Sequence, residues 1–192
     1  MYQMTADPRP RQAGPAPAPR QVPPGGVVLV GAHGGAGVST LAALLRLELG
    51  TGRPAGSVLR VHALPAIPDA DPRRIAAAGW LPVPPPGTPL ILAARGTAEG
   101  ARRAVIAVAA LGHRGIQAAV IAVIADGAGP EPRQAAQRFD LIAGRGGALI
   151  RVPFAAPLRA GTDPAAARLP RRLRAAVADL AELAVPAPGR NW

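Results

Sequence analysis

The chain has 192 residues, a formal charge of +11, 24 prolines, 23 glycines and no cysteine. That length fits one domain with a sizeable core, and the missing cysteines exclude disulfides and thiolate metal sites. No apolar run is long and uninterrupted enough for a membrane span, and the first residues lack the basic start and apolar run of a secretory signal, so the cytoplasm is the expected compartment.

Residues 1–25 read as a disordered tail. Pro-rich stretches such as Ala-Gly-Pro-Ala-Pro-Ala-Pro-Arg20 favour extended polyproline conformations and withhold amide donors from a sheet. Residues 26–184 form the expected domain, and 185–192 a flexible end. Within the domain, Val27 to Val30 is an unbroken apolar run that predicts a buried strand, placed here at the centre of the sheet. The loop Gly31-Ala-His-Gly-Gly-Ala-Gly-Val-Ser-Thr40 follows, then a helix from Ser39 to about Leu49. Glycines admit close approach of an anion, and the amides of a helix N-terminus hold one. His33, Gly34, Gly35, Gly37, Val38, Ser39 and Thr40 are therefore the candidate nucleotide- or anion-binding residues. A working phosphate loop ends in Gly-Lys-Ser or Gly-Lys-Thr, but here Val38 stands at the lysine. Every one of the 22 basic residues is arginine, so no lysine elsewhere takes its place.

Further along, Ser57 to His62 predicts a second strand, and Asp71-Pro72 starts a short helix through Gly79. Trp80 sits before a proline-rich loop, either as an anchor for a partner or as a cover for the core edge. Pro89 to Ala94 predicts a buried strand that exits into Arg95, with Thr97 capping a helix whose inward face carries Ala101, Val105 and Ala109. Gln117 to Ala125 is the next strand. Asp126 at its end is either a site carboxylate or a turn residue capping a helix from Glu131 to Phe139. Asp140 to Gly147 reads as a turn, Ala148 to Pro153 as the last strand, and Pro153 to Gly161 as a closing loop. A final helix spans Pro170 to Ala184, with Leu173, Val177, Leu180 and Ala184 inward. Arg171, Arg172 and Arg174 lie at its N-terminal end, where positive charge opposes the helix dipole and is left for an external anion. The alternation of Val/Ile-rich runs with Ala-rich helices predicts a three-layer α/β fold with a mostly parallel sheet of about five strands.

The loop resembles the deviant phosphate loop of the ParA/MinD group of P-loop ATPases, Gly-Lys-Gly-Gly-x-Gly-Lys-Thr-Thr. Ala32 matches its first glycine, His33 its signature lysine, and Gly34, Gly35 and Gly37 its other glycines; Val38 matches the phosphate-contacting lysine. Ser39 and Thr40 match the hydroxyl pair, the first of which holds magnesium in that group. The loop also resembles little-characterised actinobacterial ParA-like proteins associated with mobile elements and transfer or secretion loci. Ala93-Ala-Arg-Gly-Thr-Ala-Glu-Gly100 and Arg151-Val-Pro-Phe-Ala-Ala-Pro-Leu-Arg-Ala-Gly161 extend that likeness. The resemblance implies a P-loop NTPase-like fold, and it puts the loop at Pro153 near a nucleotide base. Arg95, Asp126 and Pro153 are the candidate site edge.

Three functions follow as expectations. One is a degenerate P-loop scaffold or accessory protein in a transfer, partition or secretion-linked assembly, binding a protein partner or a second copy and holding ATP and magnesium weakly at best. Another is an ATPase of the ParA/MinD type activated by its partner. The third is a basic nucleic-acid-binding accessory protein, with coding bias towards Ala, Arg, Gly and Pro as the plainer source of its charge. No catalytic residue is assigned. No metal site is expected, because His33, His62 and His113 are scattered and form no close ligand pair.

Overall fold

The computed structural model describes residues 26–50, 60–81 and 83–184. Both expected tails lie outside the described residues, as do the first residues of the second expected strand. The elements are β1 (Gly26–Gly31), α1 (Val38–Gly50), β2 (Arg60–Leu64), α2 (Pro72–Ala77), β3 (Leu90–Arg95), α3 (Ala98–His113), β4 (Val120–Ile124), α4 (Arg133–Gly146), β5 (Ala148–Val152), α5 (Ala156–Arg159) and α6 (Arg171–Ala184). The five strands form one sheet in the order β2-β1-β3-β4-β5, and every neighbouring pair is parallel.

Parallel strands need crossovers, and the crossover helices cover both faces. Alternation along β1 divides its side chains between two cores. Val27 and Leu29 pack with Leu41 and Leu45 of α1 and with Leu173 and Leu180 of α6. Val28 and Val30 face the other way, into a cluster with Ile75 of α2, Ala104 of α3 and Phe139 of α4. Fully burying a side chain such as Phe139 stabilises by about 1.5–3 kcal/mol.

Several expectations are corrected. The centre of the sheet is β3; β1 is second from the β2 edge. A continuous apolar run reports burial on two faces, which both positions provide. Val105 and Ala109 are exposed on α3, whose buried face is Ala101, Ala104, Ala107 and Ala110, a spacing of three. The stretch from Asp140 is helix, since α4 runs on to Gly146 and ends only where Gly147 takes φ 109°. The closing loop contains the short α5. Two local starts are as read: Asp71 accepts the amides of Arg73 and Arg74, and Thr97 accepts that of Gly100 at 3.0 Å.

Candidate functional site

The order of the strands places a crevice where successive connections diverge, beyond the carboxyl ends of β1 and β3. The β1–α1 loop enters it from one side. Ala32 N–H is held by Ala93 O at 2.8 Å, which fixes the loop's base to β3. Gly35 and Gly37 then turn the chain through φ 75° and 84°. A side-chain carbon on Gly37 would stand 2.9 Å from the flexible end of the Ile124 side chain, and the φ of 84° there is one that favours glycine. The first bond of α1 runs from Leu41 N–H to Gly37 O at 2.9 Å, which leaves the amides of Val38, Ser39 and Thr40 without partners inside the helix.

Side chains close the crevice from the β3 side. Arg95 N–H donates to His33 Nε2 at 3.3 Å, and His33 Nδ1 lies 2.8 Å from Gly34 O. With Nε2 accepting, the ring proton belongs on Nδ1, where it donates to that carbonyl. Arg95 Nε donates to Gly35 O at 2.8 Å, and its Nη1 pairs with Asp126 Oδ1. Arg159 Nη1 stands 3.7 Å from the same carboxylate oxygen. The loop is thereby fastened to β3 and β4 by a chain running from His33 through Arg95 to Asp126.

The structure brings His33, Gly35, Arg95 and Asp126 together. Gly37, Thr40, Arg95 and Pro153 line a cleft of about 360 Å³ between α1, the ends of β4 and β5, and α6. Gly34 and Ser39 are exposed beside this arrangement. Val38 turns inward instead, with its side chain half-buried against the α1–α6 core and close to Gly31. Asp126 does not cap α4: Pro132 occupies that cap without a side-chain hydrogen bond, and the carboxylate goes to Arg95.

Sequence reading missed Arg159 and Glu131. Arg159 comes to Asp126 on α5, a four-residue helix inside what read as loop. Glu131 lies with Asp126, Thr97, Arg151 and Pro153 around a second cleft of about 330 Å³. Its Oε2 accepts from Arg151 Nε at 2.8 Å, while Oε1 is buried without a hydrogen-bond partner. Arg151 also reaches Asp140 at 3.0 Å, and these two carboxylates, Glu131 first, raise its pKa above the usual arginine value. The only advance signal for Glu131 was its closeness to Asp126 in the sequence.

Among the described residues, no group of three or more His, Cys, Asp or Glu is placed to hold a metal ion. Nor is any helix among them long and apolar enough to cross a membrane. No protein-family model matches the chain, and no curated protein matches it. The chemistry of the site therefore rests on its own geometry.

Proposed function

We propose that this chain is a degenerate P-loop scaffold of the ParA/MinD kind, acting by binding a protein partner in a transfer, partition or secretion-linked assembly rather than by hydrolysing ATP. One observation carries this reading: Arg95 occupies the carboxyl end of β3 with its guanidinium bonded to the glycine loop and to Asp126. Phosphoryl transfer requires a cation over the β and γ phosphates and a carboxylate able to help hold magnesium. Here the lysine position carries the inward-turned Val38, and the acid nearest the loop is neutralised by arginine. Each such loss acts on transition-state electrostatics, where one well-placed donor contributes about 3 kcal/mol, roughly a hundredfold in rate. The loop amides remain able to hold an anion, but without the charge that makes phosphate binding productive.

The test is affinity capture of the full chain from its native cell, followed by an ATPase assay of the recovered complex. The same assay is run on Gly37→Ala and Val38→Lys variants whose folding has been checked by circular dichroism. The expected result is a stable protein complex whose assembly ignores ATP and magnesium. Turnover that follows this chain and is lost in Gly37→Ala would establish the partner-activated ATPase in its place.

A further inference from the structure

We propose that the cleft between α1, the ends of β4 and β5, and α6 binds a small amphiphilic carboxylate, an anion with an aliphatic body. About half of its wall is apolar, supplied by Leu41 and Leu44 from α1, Ile124 and Val152 from the strand ends, and Leu158 and Leu173 from the last two helices. Its volume, about 360 Å³, lies in the range of small-molecule sites, which pair an apolar body with a few convergent polar groups.

The charged side chains here carry one sign. Arg95 and Arg159 both line the cleft, while no Asp, Glu, Asn or Gln does so among the described residues. Asp126 faces these two guanidiniums, so one carboxylate stands against two positive charges. Arg95 is already committed to Asp126 and to Gly35 O. Arg159 is not: at 3.7 Å from Asp126 it lies beyond hydrogen-bond length, and its side chain is 56% exposed. Its planar fork of donors matches a carboxylate. The first-turn amides of α1, which have no partner inside the helix, add positive potential near Thr40.

The same lining argues against a nucleotide base. A base's exocyclic amino group would find no side-chain carboxylate or amide here to accept from it, and an unpaired buried donor is unfavourable. An aliphatic chain has no polar group of its own to leave unpaired. It buries against the leucines while its charged end meets Arg159 at the mouth.

The experiment titrates the full chain with octanoate, with uncharged octanamide, with inorganic phosphate and with ATP plus magnesium, read by calorimetry and by leucine methyl NMR. Octanoate is expected to bind saturably and to shift the methyls of Leu44 and Leu158, with octanamide and phosphate each at least about tenfold weaker. Arg159→Gln should weaken octanoate about tenfold and leave octanamide unchanged. Leu158→Trp, at a half-buried position, should fill the cleft and remove binding of both while the thermal midpoint is held. Absence of saturable octanoate binding overturns the proposal. So does equal affinity for octanamide, which would make the charge irrelevant, or displacement of octanoate by lower concentrations of ATP, which would make the cleft a nucleotide subsite. The scaffold reading turns on ATP hydrolysis in the captured complex, so the two proposals fail separately.

Discussion

At the scale of single residues, Gly37 and Gly100 show steric constraints of different strength, and Glu99 an electrostatic one. Gly37 is held at φ 84° beside Ile124, and Gly100 sits so close to β3 that a side-chain carbon would meet Arg95 O at 2.1 Å. A methyl added at Gly37 strains the backbone and presses on a flexible side-chain end, so Gly37→Ala is expected to destabilise by about 1–2 kcal/mol. At Gly100 the obstacle is backbone, and Gly100→Ala should destabilise by about 4 kcal/mol or more; denaturant midpoints check both, and equal losses would contradict this ranking. Glu99 accepts from Arg102 and Arg103, bonds that pull its pKa from 4.5 down to about 2. A lowered folded-state value means stability present above about pH 4.5 and lost as the pH falls towards 2. Wild type should therefore lose stability more steeply than Glu99→Gln across that window, and less so in high salt because the group is exposed. The residues of the loop were legible because glycines and hydroxyls announce themselves locally. The bond from Arg95 to His33 was not, since its partners lie 62 residues apart and meet only once β1 and β3 are paired.

At the scale of elements, helix α3 shows where periodicity misleads. Small and aliphatic residues on several sides of α3 give two superposable apolar spacings, and only packing against β3, α2 and α4 selects the face through Ala101, Ala104 and Ala107. The choice has a measurable consequence. Val105→Ala on the outer face is expected to change stability by less than about 0.5 kcal/mol, while Ala104→Val forces two extra methyls into a fully buried position and should destabilise by about 1–3 kcal/mol. Thermal or urea unfolding of the pair separates the two faces, and the reverse ranking would mean the helix is rotated. Helix starts were readable because Asp71 and Thr97 act on amides two or three residues away. The extent of α4 was not, because Gly144 and Gly146 resemble a turn in sequence although the helix passes through them. Position within the sheet was equally hidden: an apolar run is the same signal in a central strand as in the next one out.

At the scale of the whole molecule, five of the acids among the described residues are tied to arginines, and Arg171, Arg172 and Arg174 remain exposed at the start of α6. Arg73 and Arg74 on α2, Arg133 and Arg145 on α4 and Arg168 before α6 are exposed as well, so the positive charge is spread over several faces. The parallel strand order has a second consequence, which concerns time rather than space. Val28 pairs with Leu90, and Leu29 with Ile91, so one whole side of β1 has no partner until the chain has been made past α2. Four consecutive aliphatic residues with an open edge are a segment prone to association, and parallel pairing of this kind forms late because long loops must close first. A fragment ending at Pro89 is expected to be insoluble or to show no protection of the β1 amides in hydrogen exchange, whereas the full chain protects them. A soluble fragment with protected Val28 and Val30 amides would show that β2 alone shelters β1. During synthesis, β1 therefore waits with one open edge while the chain through α2 is made, and a chaperone that holds Val27 to Val30 until β3 emerges would shorten that interval of risk.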